Sequence, residues 1–140
     1  MDLLDIEEKR NEYARFLRTV LQPNLDTALQ KEREVQQEIR DYEELIGNLR
    51  AGIPSQLTAD LGYKKIHCNA TVQSNQHVFV NVGMGFHVEF EVGEAIEFCE
   101  HRVCFLRNQV LPKRTKDSDS IRQHIRESEM ILEAIVSELK

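Results

Sequence analysis

Apolar residues near both ends of the chain recur at alternating steps of four and three, and between these stretches the step falls to two. Val35, Ile39, Tyr42, Ile46 and Leu49 are spaced 4-3-4-3, and Ile96, Cys99, Val103, Leu106 and Val110 are spaced 3-4-3-4. Ile121, Ile125, Ser128, Leu132, Ile135 and Leu139 follow at 4-3-4-3-4. Such steps draw one stripe along a helix, as in a coiled-coil seam. Charged and amide residues from Lys31 to Asp41 surround the first stripe and make a solvated face. The pattern predicts helix from Glu7 to Leu49, with Tyr13, Leu17 and Val20 extending the seam before Pro23. A helix of roughly 45 residues is about 70 Å long. It cannot bury its stripe alone, so the two helical arms are expected to pack antiparallel. Parallel pairing of two copies through each arm is the alternative.

Each of two prolines coincides with a slip of one residue in the repeat. Leu17 and Leu25 are eight apart instead of seven, and Val110 and Ile125 are fifteen apart instead of fourteen. Proline removes an intrahelical hydrogen bond, and an extra residue fits a locally widened turn. Two bent helices are expected, against a true break at Gln22-Pro23-Asn24.

The middle of the chain alternates. Leu57, Ala59 and Leu61 precede Gly62-Tyr63; Ile66, Cys68, Ala70 and Val72 follow. After the polar Gln73-Ser74-Asn75-Gln76 come Val78, Val80 and Val82, with Phe79 opposite. Phe86, Val88, Phe90 and Val92 then alternate with His87, Glu89 and Glu91. Four strands in two hairpins are predicted. Gly62-Tyr63 suits a two-residue turn with glycine first, and Gly83-Met84-Gly85 a three-residue turn. The predicted fold class is α+β: two long helices as an antiparallel coiled coil, joined by two β-hairpins in one domain. Its parts are an N-terminal helix over 1–53, hairpins over 54–93 and a C-terminal helix over 94–140. A sheet this small is unstable in isolation. The arms' stripes are spent on each other, so other subunits are expected to cover its apolar face and edges.

Charge excludes some partners. The chain carries 18 Lys+Arg and 24 Asp+Glu, a net −6, and no segment is basic, so no direct nucleic-acid partner is expected. Lys113, Arg114 and Lys116 are followed by Asp117 and Asp119 and read as a solvated face. The acidic, amphipathic start has no basic residue ahead of a long apolar run, so neither signal peptide nor membrane span is expected. A soluble, intracellular chain follows, and three cysteines do not make a disulfide framework.

No catalytic or cofactor chemistry is evident. Gly83-Met84-Gly85 lacks the rest of a dinucleotide fingerprint and precedes a strand. His67, His77 and His87 are expected to face solvent. Cys99, His101 and Cys104 lack structural-zinc spacing; Cys99 and Cys68 read as small buried hydrophobes. The expectation is no enzyme, no metal and no cofactor.

Coiled arm, two hairpins, coiled arm resembles the α class of prefoldin subunits. The likeness rests on Thr58-Ala59-Asp60-Leu61-Gly62, on Val78 through Phe86, on Val88-Glu89 and on Glu94-Ala95-Ile96-Glu97-Phe98. Thr115-Lys116-Asp117-Ser118 with His124-Ile125 is most similar to the UXT-type prefoldin-like subunits. The resemblance implies a heterohexamer of two α-class and four β-class subunits, built on a double β-barrel. Six arms hang from it and hold non-native proteins without ATP. It implies that Val78, Val80, Val82, Phe86, Val88 and Phe90 build the barrel and the subunit contact. Leu3, Leu4 and Ile6 at one arm end, with Ile135, Val136 and Leu139 at the other, would meet non-native clients. The other reading of these end residues is that they only close the coiled coil. Implied partners are other prefoldin-type subunits, non-native client proteins and a chaperonin or R2TP-type co-chaperone, in cytoplasm and also nucleus. A chaperone subunit and a scaffold that recruits partners, transcription factors included, both remain open.

Overall fold

The computed structural model describes residues 2–74 and 76–139. Its order is helix, four strands, helix. The first helical run comprises α1 (Leu3–Phe16), a π-helical turn (Leu17–Leu21) and α2 (Gln22–Ala51). The strands are β1 (Gln56–Gly62), β2 (Ile66–Thr71), β3 (His77–Gly83) and β4 (Phe86–Glu91). The second run comprises α3 (Val92–Phe105), a π-helical turn (Leu106–Val110) and α4 (Leu111–Glu138). The chain forms two compact units: residues up to Glu38 with those from Leu106 on, and Ile39–Phe105.

The repeat slips are housed as expected. Both π turns end two residues before a proline, at Leu21 before Pro23 and at Val110 before Pro112. The physical cause is common to both. A proline ring collides with the carbonyl four residues back, here Thr19 or Asn108, each inside the widened turn. Helical angles continue through the first turn, and the Gln22 N–H donates to the Leu17 carbonyl, five residues back. There is therefore no break at Gln22-Pro23-Asn24. Deleting Thr19 together with Pro23→Ala removes the extra residue and its cause. We expect that variant to keep its helix content and melt at or above the wild-type temperature, as read by circular dichroism; Thr19 deletion alone should melt lower, because Pro23 then sits in regular helix.

The slip also corrects the seam ahead of it. Tyr13 and Val20 are exposed at 37% and 39%, while Leu21 is buried at 6%. Ala14, Leu17 and Leu21 face inward instead of Tyr13, Leu17 and Val20. From Leu25 on, the regular steps hold, and Val35, Ile39, Tyr42, Ile46 and Leu49 are all buried. In the second run Cys99, Val103 and Leu106 are buried as expected. Ala95, fully buried, takes the innermost place that the pattern gave to Ile96, which is half-buried. The first helix begins at Leu3, where the Asp2 carboxylate accepts the Leu3 N–H at 3.0 Å.

In the unit Ile39–Phe105, the strands form two separate two-stranded antiparallel ladders, β1–β2 and β3–β4, so the expected patch of four strands is not one sheet. The ladders share a construction. Each has a register break just before the last residue of β1 or β3, at Asp60/Gly62 and at Asn81/Gly83. In each, the side-chain oxygen before the break accepts the glycine N–H: Asp60 from Gly62 at 2.9 Å and Asn81 from Gly83 at 3.0 Å. Both chain reversals use two consecutive residues at positive φ: Tyr63 and Lys64 (53° and 56°), and Met84 and Gly85 (52° and 78°). Positive φ at both central positions marks the type I′ turn, whose twist matches that of the strands. The first turn thus sits one residue later than expected, and the second holds two residues, Met84 and Gly85, instead of three. Gly62 and Gly83 belong to the ladders, and Val92 starts α3 instead of ending β4. Of the predicted polar turn, Asn75 lies outside the described residues.

The β3–β4 ladder is packed on helices of its own unit. The Tyr42 hydroxyl of α2 donates to the Asn81 carbonyl at 3.0 Å. Phe98 of α3 stacks on Phe90 of β4, ring centroids 5.3 Å apart, and meets Tyr42 edge-on at 6.3 Å. Val80 is buried at 2%. The expectation that the arms leave the strands uncovered is therefore overturned for this hairpin. Tyr42 fills the seam with its ring and still reaches the strand with its hydroxyl, and Phe98 flanks the seam. The exposed Arg50–Glu100 ion pair joins α2 to α3 and adds little at such exposure.

Candidate functional site

Two surfaces collect the side chains singled out by the sequence. The first lies on the hairpins. Directly opposed pairs on one face of β3–β4 are Val78–Phe90 and Val80–Val88. Val80 is buried and Val78, Val82 and Phe90 are half-buried, whereas Val88 is 41% exposed and Phe86 64%. Four of the six residues of the expected contact set are thus buried or half-buried within the single chain. On the other face Phe79 is 70% exposed opposite Glu89, beside the His77–Glu91 pair. The β1–β2 ladder has no buried residue. Ala59, Cys68 and Ala70 are half-buried, and Leu57, Leu61 and Ile66 are 38%, 64% and 62% exposed. Apolar side chains left open on so small a ladder, together with unpaired strand edges, make a surface suited to burial against another chain.

The second surface lies at the ends of α1 and α4, in the other unit. Leu3 and Leu4 are 64% and 71% exposed and Val136 39%, while Ile6, Ile135 and Leu139 are half-buried on the seam side. The members of this group differ in exposure. Ile6, Ile135 and Leu139 help close the helix pair, and Leu3, Leu4 and Val136 stay open. Met130 and Ile131 add exposed apolar area on α4. Spacing could not single them out, because they lie off the seam.

One polar constellation was not anticipated. The Glu32 carboxylate on α2 accepts from the Thr115 hydroxyl at 3.1 Å and the Ser118 hydroxyl at 3.0 Å, both on α4. Ser118 is fully buried. Both hydroxyl residues were in the quoted TKDS stretch, but a serine inside a charged run gives no sign of burial.

Burial pushes the Cys99 thiol up, away from the reactive thiolate. His67, His77 and His87 are exposed, as expected. Among the described residues no cluster of His, Cys, Asp and Glu could hold a metal ion, and no helix is long and apolar enough to cross a membrane.

Comparison with known proteins follows the same lines. The family described as "Prefoldin subunit" matches residues 21–138. The UXT protein homolog of Nematostella vectensis is 30% identical over 129 residues, covering 87% of this chain and 80% of that protein. The human UXT protein is 29% identical over 133 residues, covering 91% and 82%. A chain from the filamentous PFD structure of Methanocaldococcus jannaschii is similar at 17% identity and a TM-score of 0.47, over 94% of this chain and 98% of that one. With α2, both hairpins and the second helical run inside the matched span, this chain belongs to the prefoldin subunit family, in its UXT-type branch.

Proposed function

We propose that the chain is an ATP-independent chaperone or co-chaperone subunit of a prefoldin or prefoldin-like heterohexamer. Its open hairpin residues, Phe86, Val88, Leu57, Leu61 and Ile66, join it to other prefoldin-type subunits. Its arm ends bind non-native proteins, which it passes to a chaperonin or an R2TP-type co-chaperone in the cytoplasm and nucleus. The observation that carries the client role is the open apolar group Leu3, Leu4 and Val136 at the arm ends. Isolated apolar residues on a surface are ordinary. Several at one helix end offer weak multipoint binding, and repetition of arms in an assembly turns weak contacts into avidity.

The test compares assembled complexes containing wild-type chain or the Leu3→Ser, Leu4→Ser, Val136→Ser variant. We expect the variant to assemble normally and to lose most of the suppression of aggregation of a thermally unfolded model client. Light scattering reads the suppression and native mass spectrometry the assembly. Unchanged suppression with intact assembly would remove the client role. It would leave the chain as a scaffold that recruits partners, transcription factors among them, through the same hairpins.

A further inference from the structure

The two faces of the β3–β4 ladder differ in kind. One is packed on Tyr42 and Phe98. The outer one is built from the opposed pairs His77–Glu91, Phe79–Glu89 and Asn81–His87, all exposed. The matching face of β1–β2, with Gln56–Thr71, Thr58–Asn69 and Asp60–His67, is polar throughout. Phe79, 70% exposed, is thus the single apolar side chain on the outer faces of the two ladders. An isolated exposed apolar residue is ordinary, but this one stands among carboxylates. Glu89 lies directly opposite, at a Cβ separation of about 5 Å. Glu91 follows two residues along the same strand, about 6.7 Å further on. Neither carboxylate is ion-paired among the described residues, and the face carries no lysine or arginine.

The face runs into a cavity. Besides its place on the ladder, Glu91 lines a hollow of about 460 Å³ together with Leu49, Ile53, Val92 and Gln76. Two glycines on its wall leave room, since a Cβ at Gly52 or Gly93 would meet nothing within 4 Å. The C-terminus of α2 and the N-terminus of α3 both reach the hollow. Their dipoles oppose each other there, so Glu91 sets the sign.

We propose that this outer face is a docking surface for an extended segment of another protein that carries basic residues two apart. One basic side chain lays its apolar stem along Leu49, Ile53 and Val92 and brings its charge to Glu91. The second reaches Glu89 and covers the Phe79 ring. Arginine suits that place, because one flat group pairs with a carboxylate and stacks on an aromatic face. Such stacking already occurs within this chain, where the Arg102 guanidinium lies 5.6 Å over the Phe105 ring. The step of two is that of an extended chain, whose alternate side chains point the same way. A second copy of this chain does not supply the segment. Its only basic residues two apart, Lys31 with Arg33 and Arg114 with Lys116, lie in α2 and α4, where such neighbours face different ways. The occupant is therefore a different protein.

Fluorescence polarisation of two labelled peptides titrated with full chain tests the surface. The peptides are acetyl-Gly-Arg-Ser-Arg-Gly-Gly and acetyl-Gly-Arg-Arg-Ser-Gly-Gly, equal in charge and composition. The first should bind about fivefold tighter, because only it presents both arginines on one side of an extended chain. Phe79→Ala and Glu89→Gln should each weaken the first peptide about fivefold, by removing the ring or the charge under its arginine. Gly93→Leu fills the hollow without changing any charge and should weaken it by about the same factor. Phe79 and Glu89 are exposed, so their variants should melt as the wild type does. Equal affinity for the two peptides overturns the proposal, since general attraction to a chain of net −6 then accounts for all of the binding. Absence of binding overturns it too. So does undiminished binding of the first peptide by Phe79→Ala or by a folded Gly93→Leu variant; if Gly93→Leu does not fold, Glu91→Gln takes its place with the same expected loss.

Discussion

Val80→Lys is expected to unfold the β3–β4 hairpin within a single chain, before any question of assembly arises. Val80 is 2% exposed, opposite Val88 on the face that carries Phe90 onto Phe98. A lysine there must bury an ammonium group without a counter-charge or drag the strand off the helices. Burying an unpaired charge or breaking such packing costs several kcal/mol, a large share of a domain's total stability. The neighbouring bond from the Tyr42 hydroxyl to the Asn81 carbonyl goes with it, for roughly another 1 kcal/mol. The measurement is a melt of the purified chain at low concentration, with cross-strand contacts followed by NMR. We expect loss of the β3–β4 signals and a much lower melting temperature. If Val80→Lys melts like wild type and changes only the oligomeric mass, then Val80 serves subunit contact and not its own unit. Phe86→Lys is the control. Its side chain is 64% exposed, so it should leave the melt almost unchanged.

Leu106→Ala should be the most costly truncation in the arm unit. Leu106 is 2% exposed and opens the π turn Leu106–Val110. A buried Leu→Ala change loses transfer energy and leaves a cavity, about 2–5 kcal/mol in all. The widened turn fixes the backbone around it, so collapse into the space is restricted, and the upper half of that range is expected. In a chain of this size the melting temperature should fall by about 10 °C or more. Val110→Ala, at a half-buried site in the same turn, should cost about 1 kcal/mol. Calorimetry of both variants checks the contrast. Equal small shifts would mean that the π turn repacks freely.

Much of the fold was legible because a helix stripe and a strand alternation are written in large apolar residues. Val35 through Leu49 and Ile121 through Leu139 faced inward as their steps required. The two slips at the prolines were legible because a heptad tolerates no silent insertion: eight residues from Leu17 to Leu25 forced a widened turn. What failed did so for stated reasons. Tyr13 and Val20 were set in the seam because the pattern alone does not say on which side of the π turn the phase changes. Ala95, Ser118 and Glu32 were missed because small and polar residues carry no hydrophobic signal, and their burial depends on what faces them. The first turn slipped by one and the second shortened to two residues because Tyr63, Lys64 and Met84 take positive φ, which their side chains disfavour and which only the ladder register imposes.

By itself the sequence determined the order of helix, strands and helix, the periods that define their faces, and the need for another surface to cover small hairpins. Periodicity is local, and each of these follows from residues a few positions apart. Only the tertiary structure decided that β3–β4 lies on Tyr42 and Phe98, that Val80 is buried within its own unit, and that a carboxylate and two hydroxyls join the arm helices. Those facts depend on residues tens of positions apart in the chain, and no local spacing records which of them meet.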